Sequence, residues 1–186
     1  LTTGLESEHG DGLATPRVLR FRAAAGTGPA VFDDSSSDVD ASTFDTRGTA
    51  LGDLDGDGDL DLVTANYDDE INKVYVSNGD GTFATGEDVD AIAVWTTHVS
   101  LGDLDGDGAL DAVFANRHTG LSQANLGNGD GTFASRSTIA STTNTMATAL
   151  GDLDGDGDLD FVAGVWGLNR VNLGDGDGNF GAGSYI

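Results

Sequence analysis

An acidic segment of eleven residues, present three times, constrains the fold of this chain more than any other feature of its sequence. It reads LGDLDGDGDLD at Leu51–Asp61 and returns almost unchanged at Leu101–Asp111 and Leu150–Asp160. We number its positions from the first aspartate, so that acidic residues occupy positions 1, 3, 5, 7 and 9. Carboxylates this close together repel one another unless a cation lies among them. The sequence therefore predicts a metal-binding loop in each copy.

The spacing of these aspartates favours calcium. Ca²⁺ takes roughly six to eight oxygen ligands, and carboxylates at positions 1, 3 and 5 of a loop can wrap around it. Glycine at position 6 lets the backbone turn sharply with a positive φ. Position 7 is aspartate in two copies but Ala109 in the second, so a ligand there must be a backbone oxygen. We predict three calcium sites, each with side-chain ligands at positions 1, 3, 5 and 9 and a backbone ligand at position 7. In chain order, the residues at positions 1, 3, 5, 7 and 9 are Asp53, Asp55, Asp57, Asp59 and Asp61; Asp103, Asp105, Asp107, Ala109 and Asp111; Asp152, Asp154, Asp156, Asp158 and Asp160.

The loop is not that of an EF-hand. An EF-hand closes with a bidentate Glu at position 12 between two helices, whereas position 12 here is Thr64, Phe114 or Ala163. Apolar residues follow position 9 at once, so the loop is expected to enter a strand. The alternative is a solvated acidic turn without metal, which three copies of one ligand pattern disfavour.

Each copy belongs to a repeat of about 50 residues that contains four short strands and no helix signal. A short apolar strand precedes the loop, a continuous apolar strand follows it, and an alternating strand comes third. Hairpin signals at Asn78–Gly81 and Asn128–Gly131 precede a fourth strand that is expected to open at Phe83, Phe133 or Phe180.

A four-stranded unit that repeats with this period predicts an all-β chain that is a propeller or a solenoid. Because one unit cannot bury both faces of its sheet alone, we favour radial packing into a small β-propeller of four-stranded blades. We expect one domain over residues 1–186, with calcium-binding repeats at 46–93, 94–142 and 143–186. Residues 1–45 are expected to form a degenerate or partial first blade, which makes about four blades in all. The alternative is an incomplete propeller whose missing strands come from another chain.

The strings ALGDLDGDGDLDLVTAN (50–66) and NGDGTF (78–83 and 128–133) resemble the FG-GAP/VCBS repeat, which also occurs in the heads of integrin α chains. The resemblance is strong over residues 46–186 and weak over the first 45. It implies a β-propeller with calcium in the loop between the first two strands of each blade.

Charge and composition exclude several classes of partner. The chain has 32 acidic and 8 basic side chains and a formal charge of −24. Nucleic acid and anionic membranes bind basic patches, so neither is expected as a partner, and no apolar run approaches the ~20 residues of a membrane span. The chain contains no cysteine, so no disulfide framework is expected. It begins at Leu1 without Met, so we expect a processed or partial chain, and a removed secretory signal would explain this start. Because such sites fill where calcium is abundant, we expect an extracellular protein.

Catalytic machinery is not evident in the sequence. There is no cysteine nucleophile and no Gly-x-Ser-x-Gly elbow, and His9, His98 and His118 are scattered. Tyr67, Arg117 and Trp166 each follow the last loop aspartate by six residues and could form a sugar-binding rim, although ordinary packing between blades is the favoured interpretation. Trp95 is interpreted as a core residue.

Three functions remain possible at this level. The first is a secreted structural or adhesive protein that is not an enzyme, and that assembles with itself as a homo-oligomer or filament through its N-terminal segment, where Arg17, Arg20 and Arg22 cluster. The second is a lectin-like module that binds glycans or cell-surface proteins. The third is a non-catalytic fragment of a polysaccharide-processing enzyme.

Overall fold

The computed structural model describes Val39 and residues 43–118 and 120–186. The expected partial blade of residues 1–45 lies almost wholly outside the described residues, as does the arginine cluster at 17–22. All regular secondary structure in the described part is β-strand. No helix among these residues has the length and apolarity needed to cross a membrane.

In the described part of the chain, twelve strands form three antiparallel sheets of four strands, one sheet for each repeat. Within every sheet, neighbouring strands are consecutive in the chain, so each repeat is a meander. This confirms four strands per repeat. The strands are β1 Thr46–Gly52, β2 Asp61–Asn66, β3 Lys73–Tyr75 and β4 Glu87–Asp88; β5 Thr96–Gly102, β6 Asp111–Asn116, β7 Leu121–Gly127 and β8 Phe133–Thr143; β9 Thr145–Gly151, β10 Asp160–Val165, β11 Arg170–Asn172 and β12 Ser184–Tyr185.

The acidic loop is the connection between the first two strands of each sheet. The strands pair up to the loop itself, since Gly52 pairs with Asp61, Gly102 with Asp111 and Gly151 with Asp160. Position 9 is therefore the first residue of the second strand, as expected from the apolar residues that follow it.

The fourth strand departs from the sequence expectation in repeats 1 and 3. Phe83 and Phe180 form only isolated bridges, and β4 and β12 begin further along the chain. Glycines interrupt these two segments. A Cβ on Gly86 would meet the Tyr75 ring, and one on Gly183 would lie 3.0 Å from Asn172 Cγ. Repeat 2 has no glycine between Phe133 and Thr143, and β8 opens at Phe133 as predicted.

The hydrophobic core lies between the sheets of successive repeats. One buried cluster joins Val63 and Ala65 of repeat 1 to Ala112 and Phe114 of repeat 2. A second joins Val113 of repeat 2 to Phe161 and Ala163 of repeat 3, with Ile139 and Leu104. Because successive side chains of a strand point to opposite faces, β6 supplies one face to repeat 1 and the other to repeat 3. This explains the continuous apolar run at the centre of β6.

The hairpin turns that precede the fourth strands are held by aspartate. Asp80 Oδ1 accepts hydrogen bonds from the backbone N–H of Thr82 at 3.0 Å and from its hydroxyl at 2.6 Å. Asp130 and Thr132 repeat this arrangement. The side-chain and backbone hydrogen bonds from the threonine lower the pKa of Asp80 and of Asp130 below the ordinary value.

These turns should make the protein acid-sensitive. A carboxyl with a folded-state pKa below its unfolded value of 3.8 stabilises the fold above that pH, and the contribution is lost as the pH falls through the folded-state pKa. We expect Asp130→Asn to flatten the dependence of melting temperature on pH between about pH 5 and pH 2. Asp68→Asn, at an exposed aspartate outside the turns, is the control. Equal pH profiles for wild type and Asp130→Asn would contradict the assignment.

Candidate metal loops and a cavity between repeats

The aspartate at position 1 organises each loop. Asp53 accepts hydrogen bonds from the N–H groups of Gly56 at 2.8 Å and Gly58 at 3.0 Å, one on each carboxylate oxygen. The same pair of bonds forms in the other two loops. The predicted positive φ at position 6 is confirmed, at 92° for Gly58, 93° for Gly108 and 101° for Gly157. The loop is thus shaped by its own carboxylates around a glycine turn.

The aspartate at position 9 is fully buried and links the loop to the sheet. Asp61 accepts hydrogen bonds from the N–H of Leu54 in the loop and from the N–H of Ser77 after β3, both at 2.8 Å. Asp111 makes the same two bonds to Leu104 and Gly127. Asp160 does so with Leu153 and Gly174. Sequence reasoning assigned position 9 to calcium alone and missed this second role.

Carboxylate oxygens converge in all three loops. In each loop, three aspartates bring oxygen atoms within 4.8 Å of one another, which is close enough for a shared ion. Positions 1 and 3 take part every time, position 5 joins them in the first loop, and position 9 joins them in the second and third. The groups are Asp53, Asp55 and Asp57; Asp103, Asp105 and Asp111; Asp152, Asp154 and Asp160. An all-oxygen donor set with high negative charge fits a hard cation such as Ca²⁺.

The side chain at position 7 lies against the hairpin of its own repeat. A Cβ placed on Gly176, in the hairpin of repeat 3, would lie 2.7 Å from Asp158 Oδ1. Asp59 lies against Gly79 in the same way, and Ala109 Cβ would lie 3.7 Å from a Cβ on Gly129. These contacts favour the backbone-only assignment at position 7, which stays a prediction.

Burial and like charges oppose ionisation within the loops. Burial raises the pKa of Asp111, against its hydrogen bonds from Gly127 and Leu104, and the charges of neighbouring loop aspartates raise it further. Burial also raises the pKa of Asp154 and of Asp158, again with a contribution from adjacent carboxylates. A divalent cation among these groups would offset the repulsion.

A second feature of interest is a cavity of about 260 Å³ between repeats 1 and 2. It is formed by three connections: β2–β3 of repeat 1, β4–β5 between the repeats, and β6–β7 of repeat 2. Its walls combine one large aromatic ring with an acid, a guanidinium and an imidazole. The lining residues are Asp69, Ala93, Val94, Trp95, Arg117, His118 and Gly120.

Trp95 is the central residue of this cavity and is half-buried, so its interpretation as a core residue is wrong. Its ring lies 4.9 Å from that of Tyr67 and 4.4 Å from that of His118, centroid to centroid. Its carbonyl accepts a hydrogen bond from the N–H of Arg117 at 2.8 Å. The sequence signal for this site was Trp95 itself, the one aromatic residue of the connection Ala91–Thr97. Because Trp95 was assigned to the core, the sequence analysis did not predict the cavity.

The predicted rim is therefore only partly assembled. Arg117 lines the cavity, and Tyr67 supports it from behind Trp95 while Arg47 lies 4.6 Å above the Tyr67 ring. Trp166 is 81% exposed on repeat 3 and is not a lining residue of this cavity.

Backbone strain is concentrated beside the cavity. His118, Asp68 and Asp69 have positive φ values of 64°, 63° and 62°, which non-glycine residues seldom adopt. The N–H of His118 donates to Asn144 Oδ1 at 3.1 Å, which helps to hold this conformation. Residues kept in such conformations occur often at binding sites.

Comparison with known proteins supports the repeat assignment. Residues 53–114 and 103–163 match the family model of the FG-GAP-like repeat. This chain belongs to the FG-GAP-like repeat family. No curated protein matches it.

Two solved structures show similarity to the chain. A lectin of Agrocybe aegerita, described as specifically recognising non-reducing terminal N-acetylglucosamine, is 27% identical with a TM-score of 0.53. The match covers 74% of this chain and 37% of the lectin chain. The Tc holotoxin pore of Photorhabdus luminescens is 22% identical with a TM-score of 0.45, over 74% of this chain and 7% of the toxin chain. The chain thus spans only about a third of the lectin.

The loop geometry makes a prediction about calcium. Titration calorimetry of the wild type should give three Ca²⁺ per chain, and Asp105→Ala should give two. Asp59→Ala should still give three, because its side chain faces the hairpin at Gly79. Calcium that binds only the folded state should also raise the melting temperature. A stoichiometry of two for Asp59→Ala would contradict the backbone assignment at position 7.

Position 9 should matter to stability even without calcium. Asp111→Asn removes the charge from a buried acceptor of two backbone N–H groups, and its amide cannot accept both bonds. We expect a loss of about 2–3 kcal/mol in the free energy of unfolding in the presence of a chelator. Asp105→Asn, at an aspartate whose only hydrogen bond to the backbone lies within the loop, is the matched control and should lose much less. Similar losses in urea unfolding for both variants would overturn the structural role of Asp111.

Proposed function

We propose that this protein is an extracellular, calcium-stabilised adhesive module of β-propeller type that binds the terminal residue of a glycan in the Trp95 cavity. The observation that carries the proposal is the placement of a half-exposed indole beside charged and polar side chains in a preformed cavity. Binding, not catalysis, is the proposed activity.

The chemistry of the cavity suits a sugar. The apolar face of a pyranose ring can pack on the Trp95 indole, as aromatic rings offer large flat contact surfaces. Arg117 supplies hydrogen-bond donors, Asp69 supplies acceptors, and His118 can do either with ring hydroxyls. A volume of about 260 Å³ is below the range of roughly 300–1,000 Å³ for typical ligand pockets, which favours one terminal residue over a long chain.

The similarity to the Agrocybe lectin supports this proposal, because a structurally similar protein recognises a non-reducing terminal N-acetylglucosamine. The size of the cavity agrees with recognition of a chain end.

Calcium has a supporting role in this proposal. The three loops lie at the ends of the strands and contact neighbouring hairpins, so ions bound there would fix the connections between strands. Loops of this kind would be filled in a calcium-rich extracellular setting. A closed ring of blades would remove the exposed sheet edges.

Glycan binding can be tested with two tryptophan variants. Trp95→Ala should weaken binding on a glycan array at least about tenfold, equivalent to ~1.4 kcal/mol, because the stacking surface is lost. Trp95→Phe should retain part of the affinity. Trp166→Ala removes an exposed tryptophan from the β10–β11 connection of repeat 3, outside the cavity, and should leave binding unchanged. Binding that survives Trp95→Ala, or none by the wild type, would refute the site.

A further inference from the structure

We infer that a second copy of this chain binds head to tail, with its repeat 1 packed against repeat 3 of the first copy. The inference comes from comparing the two contacts between repeats inside one chain with the faces left open at the two ends of the described sheets. The Trp95 cavity is formed within a single chain, so this inference is independent of glycan binding.

The two internal contacts follow one pattern. Gly52 of repeat 1 lies beneath two leucines of repeat 2, so a Cβ there would be 2.6 Å from Leu110 Cδ1 and 2.9 Å from Leu101 Cδ1. Gly102 lies in the same way beneath Leu159 and Leu150 of repeat 3, at 2.7 and 3.1 Å.

A backbone hydrogen bond accompanies each of these contacts. The N–H of Gly131, in the hairpin of repeat 2, donates to the carbonyl of Leu54 at 3.1 Å. The N–H of Gly178 donates to Leu104 in the same way at 3.2 Å. Leu54 and Leu104 are each only 4% exposed because the following repeat covers them.

Repeat 3 presents the same surface, and none of the described residues covers it. Leu153 is equivalent to Leu54 and Leu104 but is 56% exposed. A Cβ on Gly151, the equivalent of Gly52, would meet nothing within 4 Å. Val162 is half-buried where Val63 and Val113 are fully buried. We call this surface the trailing face, formed by Gly151, Leu153, Val162 and Leu173.

Repeat 1 presents the complementary surface. Leu51 is 59% exposed and Leu60 is also exposed. Their equivalents in repeats 2 and 3 are partly buried, because they pack against Gly52 or Gly102 of the preceding repeat. Leu62 is half-buried where Ala112 and Phe161 are fully buried. We call this surface the leading face, formed by Leu51, Leu60 and Leu62, with the hairpin glycine Gly81 as the equivalent donor.

A second copy of this chain fits the trailing face because its leading face carries the equivalent pair of leucines. Within one chain, such a pair already covers the glycine of the preceding repeat at two junctions, at Gly52 and at Gly102. Leu51 and Leu60 of that copy would cover Gly151, and the Gly81 N–H would meet the Leu153 carbonyl. Such a contact is heterologous, so it closes into a ring or continues as a filament. Two copies would supply six four-stranded sheets, within the roughly four to eight blades of propellers.

The first test is the mass in solution by light scattering, in calcium and about 0.15 M salt so that repulsion between acidic copies is screened. The wild type should have at least twice the monomer mass. Gly151→Val should be monomeric, because its side chain projects into open space in one copy but would collide with Leu51 and Leu60 of the next. Leu51→Asp should also be monomeric, and Leu168→Gln, at an exposed leucine outside both faces, should assemble as the wild type does.

Mixing the two monomeric variants tests the direction of the contact. Gly151→Val keeps a leading face and Leu51→Asp keeps a trailing face, so an equimolar mixture should form a heterodimer and nothing larger. A head-to-head contact would instead let one variant dimerise alone, which would overturn the proposal.

Other occupants of the trailing face give different results. A monomeric wild type that loses several degrees of melting temperature on Gly151→Val would show that another part of the same chain covers this face. A monomeric wild type unaffected by Gly151→Val would show that the face stays open. Either result refutes the second copy, and glycan binding by Gly151→Val should persist in every case.

Discussion

The repeat depends on two hydrogen bonds that the buried aspartate at position 9 of each loop accepts from backbone N–H groups. This aspartate is the first residue of the second strand, and its two carboxylate oxygens accept one N–H from the loop and one from the end of the third strand. Each carboxylate oxygen has two lone pairs, so hydrogen bonding does not exhaust its capacity to face a cation. The acidic loop and the sheet are thereby joined through one side chain, so a change in the conformation of either should affect the other.

Stacking of the sheets follows from this unit. Because the loop directs Leu54 or Leu104 toward the next repeat, the following hairpin can cover that leucine and donate to its carbonyl. Identical residues then have different surroundings according to their place in the series, as Leu153 shows. The packing surface is a property of the repeat, and its exposure is a property of what lies beside it.

Departures from the repeat pattern mark the candidate ligand site. Asp45, Trp95 and Asn144 stand at equivalent places before the first strand of each sheet. Only at the junction of repeats 1 and 2 does this place hold a large aromatic ring, and there the cavity forms. At the next junction Asn144 accepts a hydrogen bond from His118 instead. The sheets thus define the fold, and the proposed ligand site lies in the connections between them.

The sequence by itself determined the repeat, the four strands in each unit, the loop between the first two strands and the positive φ at position 6. These features depend on local spacing and on the restricted backbone angles of non-glycine residues. Only the tertiary structure decided that position 9 also binds the third strand, because its partner is 14–16 residues away. It also decided that Trp95 lines a cavity and that Leu153 is exposed, since both depend on which residues of another repeat lie alongside. The local sequence pattern decides the strand, turn or loop in which a residue lies, and long-range packing decides which residues of other strands and repeats it contacts.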